Sequence, residues 1–288
     1  MAVYNLGSIN IDHVYRMEAF PRPGQTLSAD SMVTNLGGKG LNISVALSKA
    51  GADVRHIGAV GAEDAQVQSL LAPFDLDLSR VALLAQPTGH AIIYLDQERE
   101  NQIVIYPGAN GAIERAHVAT ALADAGPEDW LVLQNETNAN DIGLAIAREK
   151  GMKVALVAAP FDASMPALME IVDLVSVNEE ELRDFEAATG SSFRDRTDMA
   201  FLVTYGAEGA EFVAGGETHR VKAHKVTVAD TTGAGDTFFG GFMAQYAAGA
   251  SVEDALTFAS AMAALQVQSM GAAVAIPDRA EVLAFLKG

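Results

Sequence analysis

The chain of 288 residues contains no cysteine. Disulfides, thiolate catalysis and cysteine-ligated metal are thereby excluded. Its six histidines, His13, His56, His90, His117, His219 and His224, show no His-x-x-x-His spacing. That argues against a transition-metal site and gives none of them a catalytic reading. There is no apolar run of about 18 residues, the length a membrane-spanning helix needs. Val3-Tyr4-Asn5-Leu6-Gly7 enters a strand pattern without a basic and then apolar leader, so the expected location is the cytoplasm. Basic residues are scarce, with 19 Lys and Arg against 37 Asp and Glu. The resulting net charge of −18 repels nucleic acid and anionic lipid, and no basic cluster offsets it. An anionic ligand therefore needs local help from helix N-termini, a lysine or metal ions.

Hydrophobic residues make up 50% of the chain, enough for a substantial core in one domain spanning 1–288. The stretch Val228-Ala229-Asp230-Thr231-Thr232-Gly233-Ala234-Gly235-Asp236-Thr237-Phe238 reads as a strand end, a glycine turn and the first turn of a helix starting near Gly235. Two glycines separated by one alanine let consecutive N–H groups point one way, and the helix adds its positive end. Such a place binds an anion, and Asp236 beside it can accept a proton from a substrate hydroxyl. An ordinary glycine turn with an acidic helix cap has the same outline.

In chain order, Gly7 to Val14 alternates apolar and polar residues as the end of the first strand, placing Asn10 and Asp12 on one side. Pro21-Arg22-Pro23-Gly24 makes a turn, and 9–36 reads as a small antiparallel piece. Gly37-Gly38-Lys39-Gly40-Leu41-Asn42 opens a helix; it lacks the spacing of a Walker A loop, yet Lys39 and Asn42 can serve hydroxyls. Val54 to Gly61 is a strand followed by a helix to about Leu71. Residues 89–96 and 102–106 flank a polar turn as a hairpin, which pairs with the earlier excursion into a β lid of about 9–36 and 88–107. Apolar strands at 130–134, 153–158, 173–177 and 200–204 alternate with helices, the pattern of a mostly parallel sheet covered on both faces. The fold class is α/β.

Ligands of open α/β sheets gather at the carboxyl ends of strands. Glu136 follows the strand at 130–134 and can accept hydroxyl hydrogen bonds; it also reads as a loop acid. Asn178 and Glu181 follow the next candidate strand end on one face of a helix start. They suit water-mediated Mg²⁺, though an Asn N-cap with Glu three residues on is the simpler account. Thr204-Tyr205-Gly206 offers either nucleotide contacts or a turn.

The segments at Gly7–Asp12, Phe20–Gly24, Gly37–Asn42, Gly108–Asn110, Asn178–Glu181 and Asp230–Asp236 together resemble the ribokinase-like (PfkB) sugar kinases over nearly the whole chain. The resemblance implies ATP-dependent phosphorylation of a primary hydroxyl, on ribose or a related pentose first. Fructose, 2-keto-3-deoxygluconate, a nucleoside or a phosphosugar are the alternatives, and a sugar- or nucleotide-binding regulator the reading from a different class. It implies Asp236 as the base and Gly233, Ala234 and Gly235 as the anion hole. Asn10, Asp12, Gly38, Lys39, Asn42 and Glu136 become the sugar site, Asn178 with Glu181 the Mg²⁺ and phosphate side, and Thr204 with Gly206 the nucleotide side. Potassium is implied beside the anion hole, at Asp230, the carbonyl of Thr232 and Gly271, although Ala275 stands where ribokinases often present a serine. A homodimer through the lid is implied as well. After Glu181 the chain is shorter than the family pattern, with only Thr189 to Met199 between the first helix and the next strand.

Overall fold

The computed structural model describes residues 1–98 and 100–288. The first half of the chain forms β1 (Val3–Leu6), β2 (Asn10–Arg16), β3 (Ser31–Gly37), α1 (Lys39–Lys49), β4 (Val54–Gly61), α2 (Ala65–Leu71), β5 (Val81–Leu84), β6 (Gly89–Leu95), β7 (Asn101–Tyr106) and α3 (Arg115–Ala121). The second half forms β8 (Trp130–Gln134), α4 (Asn140–Glu149), β9 (Lys153–Val157), α5 (Met165–Met169), β10 (Leu174–Asn178), α6 (Glu179–Thr189), β11 (Ala200–Thr204), β12 (Ala210–Ala214), β13 (Glu217–Val221), α7 (Ala234–Ala247), α8 (Val252–Gln266) and α9 (Arg279–Phe285). Between α6 and β11 the chain makes only one 3-10 turn, Phe193–Asp195. Among the described residues no helix is long and apolar enough to cross a membrane.

The large sheet has the order β13-β12-β11-β10-β9-β8-β1-β4-β5, parallel except for β12 and β13. Its inner strands are buried on both faces, unlike the edge strands β5 and β13, and successive residues go to opposite sides. Val3, Trp130, Val132 and Leu202 join a core with α1, α7 and α8, whereas Tyr4, Leu131, Leu133, Phe201 and Val203 join a second core with α3 to α6. The expectation of a parallel sheet covered on both faces holds. The small sheet has the order β3-β2-β6-β7. Its central pair, β2 with β6, is parallel, so the lid is a mixed sheet built from two antiparallel hairpins rather than an antiparallel one. Both strands leave the same end of the large sheet, after β1 and after β5, and so run the same way.

One expected strand proves to be two. β1 stops at Leu6, and β2 starts at Asn10 in the other sheet. At the break the chain must let α1 come close: a Cβ at Gly40 would clash with Gly7 and the Ser8 amide. The Leu41 N–H then donates to Ser8 O at 2.9 Å. Beneath it lies a buried polar chain, in which Gln134 Nε2 donates to Asn5 Oδ1, and Asn5 Nδ2 donates to Gly40 O at 2.7 Å and Ser44 Oγ at 2.8 Å. Ser44 Oγ meets His56 Nδ1 at 2.8 Å. Buried hydrogen bonds of this kind are costly to break, so they fix the start of α1 over the ends of β1, β4 and β8.

Candidate active site

Two helix starts meet at the carboxyl edge of the large sheet. α1 and α7 pack so closely that a Cβ at Gly240 would clash with Ala46 Cβ. One turn earlier on each helix, Asn42 Nδ2 donates to Asp236 Oδ2 at 2.8 Å. The residues repeat at intervals of four on both helices, so the close crossing itself aligns the pair. Asp236 is only 7% exposed. Burial pushes its carboxyl up to about 6 and Glu136 adds to the rise, while the Lys39 ammonium and the Asn42 hydrogen bond oppose it.

α7 begins at Ala234, with Gly233 as its cap in the left-handed region at φ 75°. A side chain there would be strained, which glycine avoids. The Ala234 N–H donates to Thr231 O at 3.1 Å, closing the turn. Gly235 and Asp236 occupy the first helical turn, where N–H groups have no partner within the helix. A Cβ on Gly235 would meet nothing within 4 Å, so the space beside this residue is open. These donors front a cleft of about 240 Å³ lined by Lys39, Asn178, Glu181, Thr204 and Gly233 to Asp236, among others.

Lys39 joins this cleft to the residues expected to hold a sugar. Burial pushes its ammonium down, and the carboxylates of Asp236, Glu136 and Glu181 more than reverse that, leaving it raised. Glu136 Oε2 accepts from Ser8 Oγ at 2.5 Å and from the Lys39 backbone N–H at 2.9 Å, a carboxylate seated on the start of α1. Asp12 on β2 is pushed up to about 6, first by burial and then by Glu136. Its side chain lies over Gly37, where a Cβ would clash with it. Gly38 takes φ 93° against Ser8, caps α1 and leads into Lys39. Asn10 Oδ1 accepts from Asn110 Nδ2 at 2.8 Å. Asn42, expected beside the sugar, donates its Nδ2 to Asp236, while its Oδ1 has no partner.

On the far side of the cleft, Asn178 and Thr204 end neighbouring parallel strands in register. Asn178 Oδ1 accepts from the N–H groups of Glu180 and Glu181, and Glu181 Oε2 accepts from the Asn178 N–H, each at 2.8 Å. The capping box that the spacing suggested is therefore formed, and its residues line the cleft as well. Burial raises Glu181, opposed by the Asn178 N–H and by Lys39. Gly206 stands apart, in a 3-10 turn at φ 54° with nothing packed where a Cβ would be. Among the described residues no group of three His, Asp or Glu side chains could hold a metal ion unaided. A Glu181 carboxylate lining the cleft fits Mg²⁺ of the kind that takes one or two carboxylates and the rest of its shell from phosphate and water.

The loop before α7 is closed by hydrogen bonds. Asp230 Oδ1 accepts from Thr232 N at 2.9 Å and Thr232 Oγ1 at 2.7 Å, and Oδ2 accepts from Gly271 N at 2.9 Å. The carbonyls of Thr232 and Gly271 both accept from Gln266 Nε2, at 2.9 and 3.1 Å. The oxygens expected around potassium thus already have donors, and the set does not fit a cation as it stands. The sequence reading passed over two residues of this site. Asn110, at the end of the Gly108-Ala109-Asn110 motif, clamps the break between the sheets through Ile9 N, Ile9 O and Asn10 Oδ1. Gln266 was signalled only by a polar residue in the apolar run Ala263-Ala264-Leu265-Gln266-Val267.

The comparisons with known proteins agree with this architecture. A model of the pfkB family carbohydrate kinases matches residues 3–279. Ribokinase of Haemophilus influenzae is 34% identical, across 98% of this chain and 97% of that protein. The crystal structure of ribokinase from Thermotoga maritima has a TM-score of 0.89 at 29% identity, covering 100% of this chain and 99% of that one. Ribokinase of Arabidopsis thaliana, complexed with ribose and ATP, has a TM-score of 0.86 at 29% identity with the same coverage. With a family match over nearly its full length and the fold to go with it, the chain belongs to the pfkB family of carbohydrate kinases, which are phosphotransferases with an alcohol group as acceptor.

Proposed function

We propose that this chain transfers the γ-phosphoryl group of ATP to a primary hydroxyl of ribose or a closely related pentose, in the cytoplasm. The observation that carries the reading is Asp236, buried in the first turn of α7 beside open N–H donors and Lys39. A carboxylate near 6 is mostly ionised at neutral pH yet basic enough to take a hydroxyl proton. As the sugar oxygen attacks the γ-phosphorus, its proton passes to Asp236, the bond to the bridging oxygen breaks and ADP leaves. The N–H groups of the Gly233-Ala234-Gly235 turn and the Lys39 ammonium face the charge that builds on the phosphoryl oxygens. Bound Mg²⁺ neutralises phosphate charge, and Glu181 would hold it through water. Asn10, Asp12, Gly38 and Glu136 hold the sugar hydroxyls, Asn178 and Thr204 flank the nucleotide phosphates, and Gly206 borders the nucleotide. Asn42 orients the base. The similarity to ribokinases, one of them complexed with ribose and ATP, supports ribose over the other acceptors.

The small sheet would close over the sugar as a lid, and a second copy would cover its outer surface. Met32, Val33, Ile103, Val104, Ile105 and Tyr106 are exposed on its two edge strands. Exposed apolar edges favour pairing with another chain. Light scattering at micromolar concentration should give a dimer mass, and a monomer alone would remove the lid from that role.

The direct test is ADP release from Mg-ATP against pentoses, hexoses, keto-deoxy acids, nucleosides and phosphosugars. Turnover with ribose well above the others is expected. A preference for fructose, 2-keto-3-deoxygluconate, a nucleoside or a phosphosugar would replace the substrate and keep the reaction. Nucleotide binding without turnover on any of them would replace the enzyme with a binding regulator.

A further inference from the structure

The loop that carries the anion hole hangs from the end of α8. Ala229 and Asp230 donate their N–H groups to Val267 O at 2.8 and 3.2 Å. Gln266, the last residue of α8, is 0% exposed, and its Nε2 is the point on which the carbonyls of Thr232 and Gly271 converge. Thr232 directly precedes Gly233, the cap of α7, so whatever holds that carbonyl also holds the first donors of the site. Two carbonyl oxygens turned on one point, with an Asp carboxylate in the same loop, are the donor set for a cation. Here an amide nitrogen fills the point.

We propose, resting on the kinase reading above, that the Gln266 side-chain amide takes the place of a monovalent cation in this loop, so that the chain is active without potassium and Gln266 is its positioning residue. Each N–H of the amide carries a partial positive charge and satisfies one carbonyl. The Asp230 carboxylate is balanced by its three N–H and O–H donors rather than by an ion. The orientation of the amide follows from the same contacts. Turned over, Gln266 would bring Oε1 against two carbonyl oxygens, which repel it. In the structure Oε1 is buried without a partner, an unpaired acceptor that leaves both donor hydrogens for the loop. A cation could enter only by displacing the amide or by turning it over to use Oε1 as a ligand. Ala275, in the adjoining 3-10 turn, has only a methyl group to add to such a shell.

The test compares wild type with Gln266→Glu and Gln266→Ala at constant ionic strength, in tetramethylammonium chloride or potassium chloride, by ADP release and by thermal melting. Wild type should turn over at the same rate within about twofold in both salts and melt at the same temperature. Gln266→Glu is nearly isosteric but has no donor, and should lose about tenfold or more in kcat without potassium, with little change in KM. Potassium should restore much of that rate and raise the melting temperature of Gln266→Glu, because two carbonyls and a carboxylate then need a cation between them. Gln266→Ala should show the same loss in kcat and should regain rate with potassium. A purely structural role would lower stability without cation rescue, and that result overturns the proposal. So does wild-type activation by several-fold in potassium, or either variant matching wild type without it. Should Gln266→Glu fail to fold, Gln266→Ala and the wild-type comparison decide alone. Melting requires no acceptor, so a wild type that phosphorylates no tested sugar but melts higher in potassium sinks the cation replacement and the kinase reading separately.

Discussion

Asn42 on α1 and Asp236 on α7 are joined by one hydrogen bond of 2.8 Å, a turn away from the place where Gly240 lets α7 lie against Ala46. The side-chain amide stabilises the ionised form of a carboxylate that burial otherwise drives toward the neutral one. Basicity at this position is thus set by two helices that are nearly 200 residues apart in sequence. The pairing has consequences for pH. In wild type the rate should fall as pH drops through about 6, where Asp236 takes up a proton and can no longer act as base. Asn42→Ala removes a contact that holds the value down, so the limb should move to higher pH. The loss should be several-fold at pH 7 and largely recovered near pH 8.5. A pH-rate profile of kcat for both proteins checks it, and an unmoved limb would take Asn42 out of the role.

Replacing Asp236, the base on the proposed mechanism, should separate activity from stability. Asp236→Asn should lower kcat by about a hundredfold or more with little change in ATP affinity, because the lost step belongs to the transition state. The same change should stabilise the fold. The folded carboxyl lies above its unfolded value, rising from 3.8 to about 6, which at pH values above about 6 corresponds to a cost of about 3 kcal/mol. Below the unfolded value the cost vanishes, since both states are then protonated. Denaturant unfolding should therefore show the variant more stable than wild type at pH 7.5 and the gap closing toward pH 4. Equal stability at pH 7.5 would mean that burial does not penalise this carboxylate.

The helix crossing itself can be tested at Gly240. A methyl group there would meet Ala46 Cβ, so Gly240→Ala should force the helices apart and cost about 1–3 kcal/mol. It should also lower kcat, because Asn42 and Asp236 separate with the helices. Ala46→Gly in the same chain makes room for the new methyl and should return part of both. Melting and turnover of the two single variants and the double variant measure the coupling. Simple additivity would show that the contact is not what aligns the pair.

The parallel sheet was legible because its buried strands read as apolar runs, and the glycine turn before α7 because Gly233 needs a left-handed backbone that few other residues take. The break at Gly7 to Ile9 was not, since alternation of apolar and polar residues runs through it without a turn signal. The close approach of Gly40, a contact across 33 residues, and the Asn110 clamp on Ile9 and Asn10 hold the chain where β2 leaves the sheet. Asn42 was legible as a functional residue but not in its partner, because the pairing depends on how α1 crosses α7. Gln266 and Asn110 have roles set by partners beyond their own helices, Thr232 and Gly271 for Gln266 and Ile9 and Asn10 for Asn110, which leave no periodic mark in the chain. At Asn178 and Glu181 the spacing was enough, since a capping box is a local structure.

Gly235 offers a test of the anion hole that leaves the scaffold alone. Its φ lies outside the left-handed region and a Cβ would meet no atom within 4 Å, so Gly235→Ala should fold and melt like wild type. Alanine is also the better helix former in this first turn. Yet Gly235 and Asp236 both line the cleft, and on the proposed mechanism the added methyl would crowd the place where the phosphoryl group approaches their N–H groups. Losing one donor of an oxyanion hole in an acyl-transfer enzyme costs on the order of a hundredfold or more in kcat, and the same scale is expected for a phosphoryl group held by N–H donors. We expect a loss in turnover of about that size at an unchanged melting temperature, measured by ADP release at saturating ATP. A variant that keeps its full rate would place the transferring phosphoryl group away from the start of α7.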